Sequence, residues 1–235
     1  MDTIILIPAK ATSHRIKKKN LKKIGGKSLL QIKIETALKA NCGPVFVSTE
    51  NTNISQLSKK YGAKVPFLRK KKYSSKSASS ISFVLDFLRS YKKKYSINKN
   101  FNVCILPVTN PFLKSETIRK CINLKNKQKN RNSLTSVVKS QIHPYQFIEM
   151  KNKKIKFDLF KYKNFKYSDF ERTQMWPEAF ISNPSIRITN VKFFLKKINH
   201  SKPSYQSKMI DLSSCIGYEI GQIESVDINE QDDLN

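Results

Sequence analysis

The chain has 235 residues and a formal net charge of +28 at pH 7, from 45 lysines and arginines against 17 acidic residues. Hydrophobic residues make up 39% of it and recur along the whole length, which excludes an intrinsically disordered chain. It has no apolar run long enough to span a membrane and no signal-peptide pattern at its start, so we expect a cytoplasmic protein without membrane contact. The lysines are dispersed as on a solvated surface, so the charge alone does not favour nucleic acid as a partner.

The first half of the chain alternates between strand and helix patterns. The apolar residues 4–7 predict a strand buried on both faces, as in a parallel sheet covered by helices. Further strands are predicted at 45–48, 64–68, 102–106 and 134–139, and helices at 28–40, 53–61, 79–95 and 114–127. Ser28 is placed to cap the first helix and Gly62 to end the second. We therefore expect one α/β domain over residues 1–235, with a parallel sheet wrapped by helices.

The pattern changes between residues 142 and 185, which we interpret as an insertion. Two strands are predicted at 143–150 and 154–159, joined by the polar turn at 151–153. The segment is a surface hairpin, a lid or a dimerisation arm, and we expect it to expose Phe157, Phe160, Tyr162, Phe165, Tyr167 and Phe170. Strand patterns return at 186–194 and 218–227.

The loop after the first strand has the composition of an anion cradle. Thr12 and Ser13 supply hydroxyl donors, and the cations are Lys10, His14, Arg15, Lys17, Lys18 and Lys19. At the carboxyl end of a strand, such residues can neutralise a polyphosphate. The alternative is a solvated basic loop.

The cysteines and histidines do not indicate a zinc-type site. They contain no CxxC pair and no ligand spacing of the kind that binds a soft metal. We expect reduced, mostly buried thiols at Cys42, Cys104, Cys121 and Cys215.

Four blocks of sequence follow one another in an ordered spacing. They are Pro8-Ala9-Lys10 with His14-Arg15-Ile16 and Lys19-Asn20, then residues 46–50, then residues 65–69 with the serine-rich 77–80, and finally residues 224–229. In these blocks the chain resembles the acylneuraminate cytidylyltransferases, the family of CMP-sialic acid synthetases. The resemblance covers nearly the whole chain. It implies a Rossmann-like, GT-A-like nucleotide-diphospho-sugar transferase sandwich, with a mainly parallel sheet flanked by helices and an inserted hairpin.

The resemblance also implies a reaction and partners. CTP and an acidic nine-carbon α-keto sugar would give the CMP-sugar and pyrophosphate, the anomeric hydroxyl of the sugar attacking the α-phosphorus. The resemblance also implies a homodimer. In it the inserted arm, residues 142–185 here, would reach the active site of the neighbouring subunit. The implied cofactor is Mg²⁺, which takes oxygen ligands and bridges phosphates.

Site residues follow from the resemblance, position by position. The implied catalytic residues are Lys10, Lys19 and Asp227. Those implied to bind the nucleotide are Ala9, Lys10, Ser13, Lys19, Asn20, Arg69 and Ser80. Alternatives remain for two of these, because Arg69 could form a surface salt bridge and Ser80 could cap the following helix.

The remaining implied residues serve the sugar acid and the metal. Arg172 and Gln174 fall where the family has residues near the sugar acid, and an arginine there could bind the substrate carboxylate through two hydrogen bonds. Asp227 and Asn229 match the two positions that hold Mg²⁺. No residue is apparent as a general base for the attacking hydroxyl.

Several positions depart from the family pattern. Lys10 replaces an arginine and loses its forked geometry, and Asn229 replaces the second metal carboxylate, which should weaken Mg²⁺ binding. The segment at 106–113 lacks an amide and an arginine, Ile181 replaces a basic or polar residue, and Pro184 replaces a glycine. These changes indicate an unusual sugar acid or reduced activity.

Two other functions therefore stay open at this point. One is a catalytically weakened relative that binds the nucleotide without turnover. The other is a basic nucleic-acid-binding protein, although the chain has no recognised motif for RNA or DNA.

Overall fold

A six-stranded sheet with helices on both faces forms the centre of the protein. The computed structural model describes residues 2–12, 15–75, 78–79, 81–95, 100–159, 161–198 and 209–234. The strands are β1 (Thr3–Pro8), β2 (Lys23–Ile24), β3 (Lys27–Ser28), β4 (Val45–Ser48), β5 (Asn102–Ile105), β6 (Ser133–Lys139), β7 (Glu149–Lys151), β8 (Lys154–Lys156), β9 (Phe180–Asn190) and β10 (Cys215–Glu219). The helices are α1 (Leu29–Ala40), α2 (Thr52–Lys60), α3 (Ser82–Tyr95), α4 (Ser115–Lys127) and α5 (Val191–Ile198). None of these helices is both long and apolar enough to cross a membrane.

The central sheet has the strand order β10-β6-β9-β5-β1-β4. Its neighbours pair in parallel except around β9, which runs antiparallel to β5 and β6. The carboxyl ends of five strands consequently meet at one edge of the sheet, where ligands bind in open α/β folds. The predicted α/β fold with a mainly parallel sheet is confirmed.

The strand β1 shows why the core has two halves. Ile5 and Ile7 pack with α1 and α4, whereas Ile4 and Leu6 point to the other face, against α3 and α5. Each of these four side chains is 5% exposed or less, so β1 is buried on both faces, as its sequence predicts.

Two of the predicted strands differ in the structure for local reasons. Residues 64–68 make only an isolated parallel bridge between Lys64 and Phe46, because Pro66 has no amide hydrogen to continue the ladder. The strand predicted at 186–194 ends at Asn190, whose Oδ1 accepts a hydrogen bond from the amide of Lys192 and begins α5.

The two strands of the inserted segment and the last strand of the chain are also shorter than predicted. Within 143–150, Pro144–Gln146 forms a 3₁₀ turn capped by His143, and only β7 remains extended. β8 covers three residues of the predicted 154–159. β10 ends at Glu219, where the chain enters a turn that closes with a hydrogen bond from the Ser225 amide to the Gly221 carbonyl at 3.0 Å.

A buried lysine connects the helical layer to the carboxyl edge of the sheet. Lys33 on α1 is 1% exposed, and its Nζ donates a hydrogen bond to the carbonyl oxygen of Asn110 at 2.7 Å. The Asn110 side chain, also fully buried, donates from Nδ2 to the carbonyl oxygen of Val226 at 3.0 Å. Burial lowers the pKa of Lys33 from 10.5 to about 7, because the charged amine loses its hydration.

Replacing Lys33 with methionine should therefore change how stability depends on pH. Above pH 7 the native amine is neutral, whereas the unfolded chain keeps its proton up to the ordinary pKa of 10.5, so the unfolded state binds more protons. Wild-type stability should then rise by about 1 kcal/mol per pH unit between about pH 7.5 and about pH 9, and Lys33→Met should lose that slope. Urea unfolding at several pH values measures it.

The exposed Lys39 on the same helix provides the control, since Lys39→Met should keep the wild-type slope. The pH range of this comparison ends near pH 9 because burial raises the pKa values of Cys104 and Cys121. At higher pH the thiols ionise more readily in the unfolded chain, which lowers stability as pH rises. Equal slopes in all three proteins would contradict the assignment of the proton to Lys33.

Candidate active site

A cavity of about 440 Å³ opens at the carboxyl edge of the sheet. Its walls come from the loop after β1, from residues 69–79, from the start of α3 and from the segment after β5. Four of the side chains predicted to bind the nucleotide, those of Lys10, Lys19, Asn20 and Arg69, line it. Ala9 is buried at the end of β1, and Ser13 and Ser80 lie outside the described residues.

The loop after β1 is held in a curved shape by two side chains. Glu50 accepts a hydrogen bond from the amide of Ala11 at 2.7 Å and a second from the hydroxyl of Ser74 at 2.9 Å. Asn20 donates from Nδ2 to the carbonyl oxygen of Lys10 at 2.7 Å, closing the loop. The loop therefore keeps its cations on the cavity wall, and Glu50 is a supporting residue that sequence reasoning did not assign to the site.

Arg69 is a buried cation in the opposite wall. It is 6% exposed, donates from Nε to the hydroxyl of Ser48 at 3.0 Å and also donates to the Ser48 carbonyl oxygen. Its guanidinium lies 5.0 Å from the ring centroid of Phe83. Burial lowers its pKa to about 10, against the attraction of Glu50, so the side chain stays charged at neutral pH. Arg69 is thus part of the cavity wall rather than of a surface ion pair.

Asp227 and Asn229 face the cationic loop from the far end of the chain. Asn229 donates from Nδ2 to Asp227 Oδ2 at 2.9 Å, while its Oδ1 accepts from Arg15 at 3.0 Å and from Lys19 at 3.5 Å. Burial lowers the pKa of Lys19, and the charge of Asp227 opposes that effect. Asp227 Oδ1 is buried and has no hydrogen-bond partner among the described residues.

The segment carrying these two residues is fixed by backbone contacts. The amide of Ile228 donates to the carbonyl oxygen of Thr109 at 2.8 Å, next to the Asn110 contact with Val226. Glu224 adds a third attachment by accepting hydrogen bonds from the first turn of α4. Residues more than 200 positions apart in sequence, such as Lys19 and Asn229, are brought together in this way.

The inserted segment keeps its predicted sugar-acid residues away from the cavity of its own chain. Arg172 and Gln174 are exposed beside the 3₁₀ turn Thr173–Met175 and are not part of the cavity wall. Their assignment to the sugar acid stays a prediction.

The prediction that six aromatic side chains of this segment are exposed is only partly correct. Phe157, Phe165 and Tyr167 are exposed, and Phe160 lies outside the described residues. Tyr162 and Phe170 are partly buried because both pack against Tyr145. Tyr162 also donates its hydroxyl hydrogen to the carbonyl oxygen of Glu178 at 2.8 Å.

Arg187 on β9 was missed by the sequence reasoning. It lies opposite Ile105 on one side and Thr135 on the other, near the carboxyl edge, and is partly buried. Burial lowers its pKa, against the attraction of the Asp227 carboxylate. The available signal was a single arginine between the two apolar residues Ile186 and Ile188.

Comparison with known proteins gives a consistent result. Residues 4–199 match the model of a protein family described as cytidylyltransferase. The chain is 33% identical over 125 residues to a CMP-N,N'-diacetyllegionaminic acid synthase of Legionella pneumophila, covering 53% of each chain. It is 34% identical over 123 residues to a pseudaminic acid cytidylyltransferase of Campylobacter jejuni, covering 51% of each. The chain spans about half the length of these curated relatives in the matches.

Solved structures resemble the fold over nearly the whole chain. A CMP:2-keto-3-deoxy-manno-octonic acid synthetase complexed with CTP superposes with a TM-score of 0.62 at 14% identity, covering 94% of this chain and 90% of that one. A 4-diphosphocytidyl-2C-methyl-D-erythritol synthase from Anaerococcus prevotii gives 0.62 at 12% identity, covering 99% and 92%. At these identities the likeness shows a common fold and nothing more.

Proposed function

The chain belongs to the cytidylyltransferase family, and we propose that it transfers CMP from CTP to the anomeric hydroxyl of a nonulosonic sugar acid, releasing pyrophosphate. The observation that carries the proposal is the cavity at the carboxyl edge, whose wall holds the cations of the β1 loop. Two of these cations, Arg15 and Lys19, donate to Asn229, which in turn donates to Asp227. Two relatives whose names include legionaminic and pseudaminic acid support the choice of substrate class.

The cations of the β1 loop are suited to a triphosphate. Lys10, Arg15 and Lys19 line one side of the cavity and would neutralise the phosphates as negative charge moves onto pyrophosphate. The sugar oxygen forms a bond to the α-phosphorus while the bond from that phosphorus to the pyrophosphate oxygen breaks, and the hydroxyl proton passes to water. Arg15, paired with Glu230 on the exposed surface at 3.1 Å, can exchange that weak contact for a phosphate oxygen.

The wall on the other side suits the nucleoside. Arg69 is held by Ser48, and beside it Tyr73, Ser74 and Phe83 add an aromatic and hydroxyl surface. Aromatic faces stack on bases, and hydroxyl groups can form hydrogen bonds with ribose. The cavity volume of about 440 Å³ lies in the range of sites for nucleotide-sized ligands. The cytidine would therefore lie between the β1 loop and α3.

The surroundings of Asp227 fit Mg²⁺. The described residues contain no group of three or more acidic, histidine or cysteine side chains suited to hold a metal alone. Mg²⁺, however, commonly uses one or two carboxylates and takes its other ligands from water and substrate phosphates. Asp227 Oδ1, buried and without a partner in the described structure, would be that ligand. The amide oxygen of Asn229, the second residue proposed to hold the cation, accepts hydrogen bonds from Arg15 and Lys19 in this structure. When bound, the cation would stabilise charge on the departing pyrophosphate.

We also propose that the protein acts as a homodimer in the cytoplasm, where CTP is found. The inserted segment exposes Met150, Ile155 and Phe157, with exposed fractions of 71%, 53% and 53%. Apolar surface of this kind is typical of an interface between subunits. In such a dimer Arg172 and Gln174 would reach the sugar acid in the cavity of the partner.

Pyrophosphate release tests the proposed reaction directly. The purified protein with CTP and Mg²⁺ should release pyrophosphate with at least one of N,N'-diacetyllegionaminic acid, pseudaminic acid and 3-deoxy-manno-octulosonate. Asp227→Asn should lower kcat/KM by about a hundredfold or more, because the site loses its carboxylate. Binding of CTP without turnover for the whole panel, or tight binding of RNA that CTP does not displace, would overturn the proposal.

Asn229→Asp tests the metal site by affinity. A second carboxylate beside Asp227 should tighten Mg²⁺ binding by about tenfold, because affinity for hard cations rises with ligand charge. Calorimetric titration of Mg²⁺ into the nucleotide-free protein measures this. Asn152→Asp introduces the same charge in the turn between β7 and β8 and should leave the affinity unchanged. A similar gain in both variants would indicate general electrostatics and count against a site at Asp227.

The dimer is tested by placing a charge in the inserted segment. Wild-type protein should have the mass of two chains by light scattering, and Met150→Glu should weaken the dimer by about tenfold or more, since a buried unpaired charge is costly. Ile223, 72% exposed and outside the inserted segment, gives the matched control Ile223→Glu, which should stay dimeric. A monomeric wild-type protein would refute this part of the proposal.

A further inference from the structure

Arg187 on β9 is a cation for which the described residues provide neither a hydrogen bond to Nε nor an ion pair. Its Nε is buried and has no hydrogen-bond partner among the described residues. It takes part in none of the five ion pairs that the described structure contains. Asp227, the neighbour whose charge acts on it, also keeps an unpartnered buried oxygen, Oδ1. A buried donor and a buried acceptor thus both lack a hydrogen-bond partner in the described structure, an arrangement that is costly unless ligands satisfy them.

The position of Arg187 in the sheet separates it from the nucleotide. β9 is two strands away from β1, with β5 between them, which corresponds to about 10 Å at the usual strand spacing. The cations assigned to the phosphates lie on the β1 loop, and Arg69 lies beside the end of β4, on the same side. Arg187 does not belong to that cavity wall. It lies opposite Ile105, two residues before Pro107 in the cavity wall, and so borders the cavity from the β9 side.

We propose that Arg187 binds the carboxylate of the acceptor sugar acid and so places the anomeric hydroxyl beside Asp227. This inference rests on the proposed function and adds a specificity residue to it. A guanidinium with free donors matches a carboxylate in shape and charge and can form two parallel hydrogen bonds with it.

The chemistry of the acceptor fits a carboxylate-binding residue at the border of the cavity. In an α-keto sugar acid in its ring form, the carboxylate and the attacking hydroxyl are attached to the same anomeric carbon. A residue that holds the carboxylate must then lie next to the groups that act on the α-phosphate. Arg187 meets this requirement because it pairs with Ile105, just before the cavity-lining residues 107–109, and the segment of Asp227 is bonded to those same residues through the Ile228 amide. Arg172, in contrast, is exposed on the inserted segment and is not part of the cavity wall of its own chain.

Binding of the sugar acid to protein saturated with CDP, without divalent cation, tests this contact in the absence of turnover. Arg187→Gln should weaken binding of the sugar acid by about ten- to a hundredfold, the usual effect of losing hydrogen bonds to a charged group. Arg187→Lys keeps the positive charge but not the paired donors of a guanidinium, so it should lose less affinity for the sugar acid than Arg187→Gln. The carboxamide analogue of the same sugar should bind wild type and Arg187→Gln equally, because it lacks the charge that Arg187 recognises.

Controls separate this role from other roles of an arginine. Binding of CDP, measured by calorimetry, should be the same in wild type and both Arg187 variants. Arg119→Gln removes an exposed arginine of α4 that bonds only backbone carbonyls in the described structure, and it should change neither ligand. Thermal unfolding checks that each variant is folded. If Arg187→Gln does not fold, the test is made with Arg187→Lys instead.

Each alternative gives a different result. A loss of CDP affinity in the Arg187 variants would assign Arg187 to the phosphates and overturn the inference. The Arg187→Gln variant could still prefer the sugar acid over its amide, while Arg172→Gln loses that preference. This result would assign carboxylate binding to Arg172 and overturn the inference. Failure of wild type to bind any sugar acid of the panel would also overturn it. If the Arg187 variants bind the sugar acid as tightly as wild type and pyrophosphate is still released, the inference is wrong but the proposed function is supported.

Discussion

The hydrogen bond from Lys33 to the Asn110 carbonyl is the contact on which the site depends. A lysine side chain in an apolar core is costly unless its amine finds an acceptor, and Asn110 provides one at 2.7 Å. That contact fixes the backbone after β5, where Thr109 and the Asn110 side chain in turn hold the segment at 226–228. Asp227 therefore takes its position from a helix near the start of the chain.

The charges of the site are arranged around one amide. Asn229 accepts from Arg15 and Lys19 through Oδ1 and donates to Asp227 through Nδ2, so a single neutral side chain links the cations to the carboxylate. A carboxylate at this position would repel Asp227 and bind the cations more strongly. The amide bonds only Oδ2 of the Asp227 carboxylate, whose Oδ1 has no partner among the described residues, and it holds the cations less strongly than a carboxylate would. Both the carboxylate oxygen and the cations are thus available to ligands.

The sequence predicts those parts of the fold that local patterns determine. The double burial of β1 follows from four consecutive apolar residues, and the capping of α1 by Ser28 follows from its position before a helical pattern, since Ser28 Oγ accepts from the Gln31 amide at 3.1 Å. The bridge at Lys64 and the start of α5 at Val191 were missed because a proline and a side-chain cap decided them, against an apolar strand pattern. The local periodicity of apolar residues does not show whether a proline or a side-chain cap will end a strand.

The site divides in the same way. Lys10, Lys19 and Asn20 share one loop, so their common location could be inferred from sequence, and their spacing carries the family resemblance. Glu50 and Arg187 act through partners distant in sequence, namely the Ala11 amide and Asp227. Long-range pairs of this kind depend on strand order, and the antiparallel insertion of β9 beside β5 is not encoded in any short motif. Two residues nevertheless point in one direction, because Asn229 stands where the resemblance implies a second carboxylate and Arg187 adds a positive charge that acts on Asp227. The acceptor side of the site is thus more positive than its motif alone implies, which favours an anionic acceptor at some cost in metal affinity.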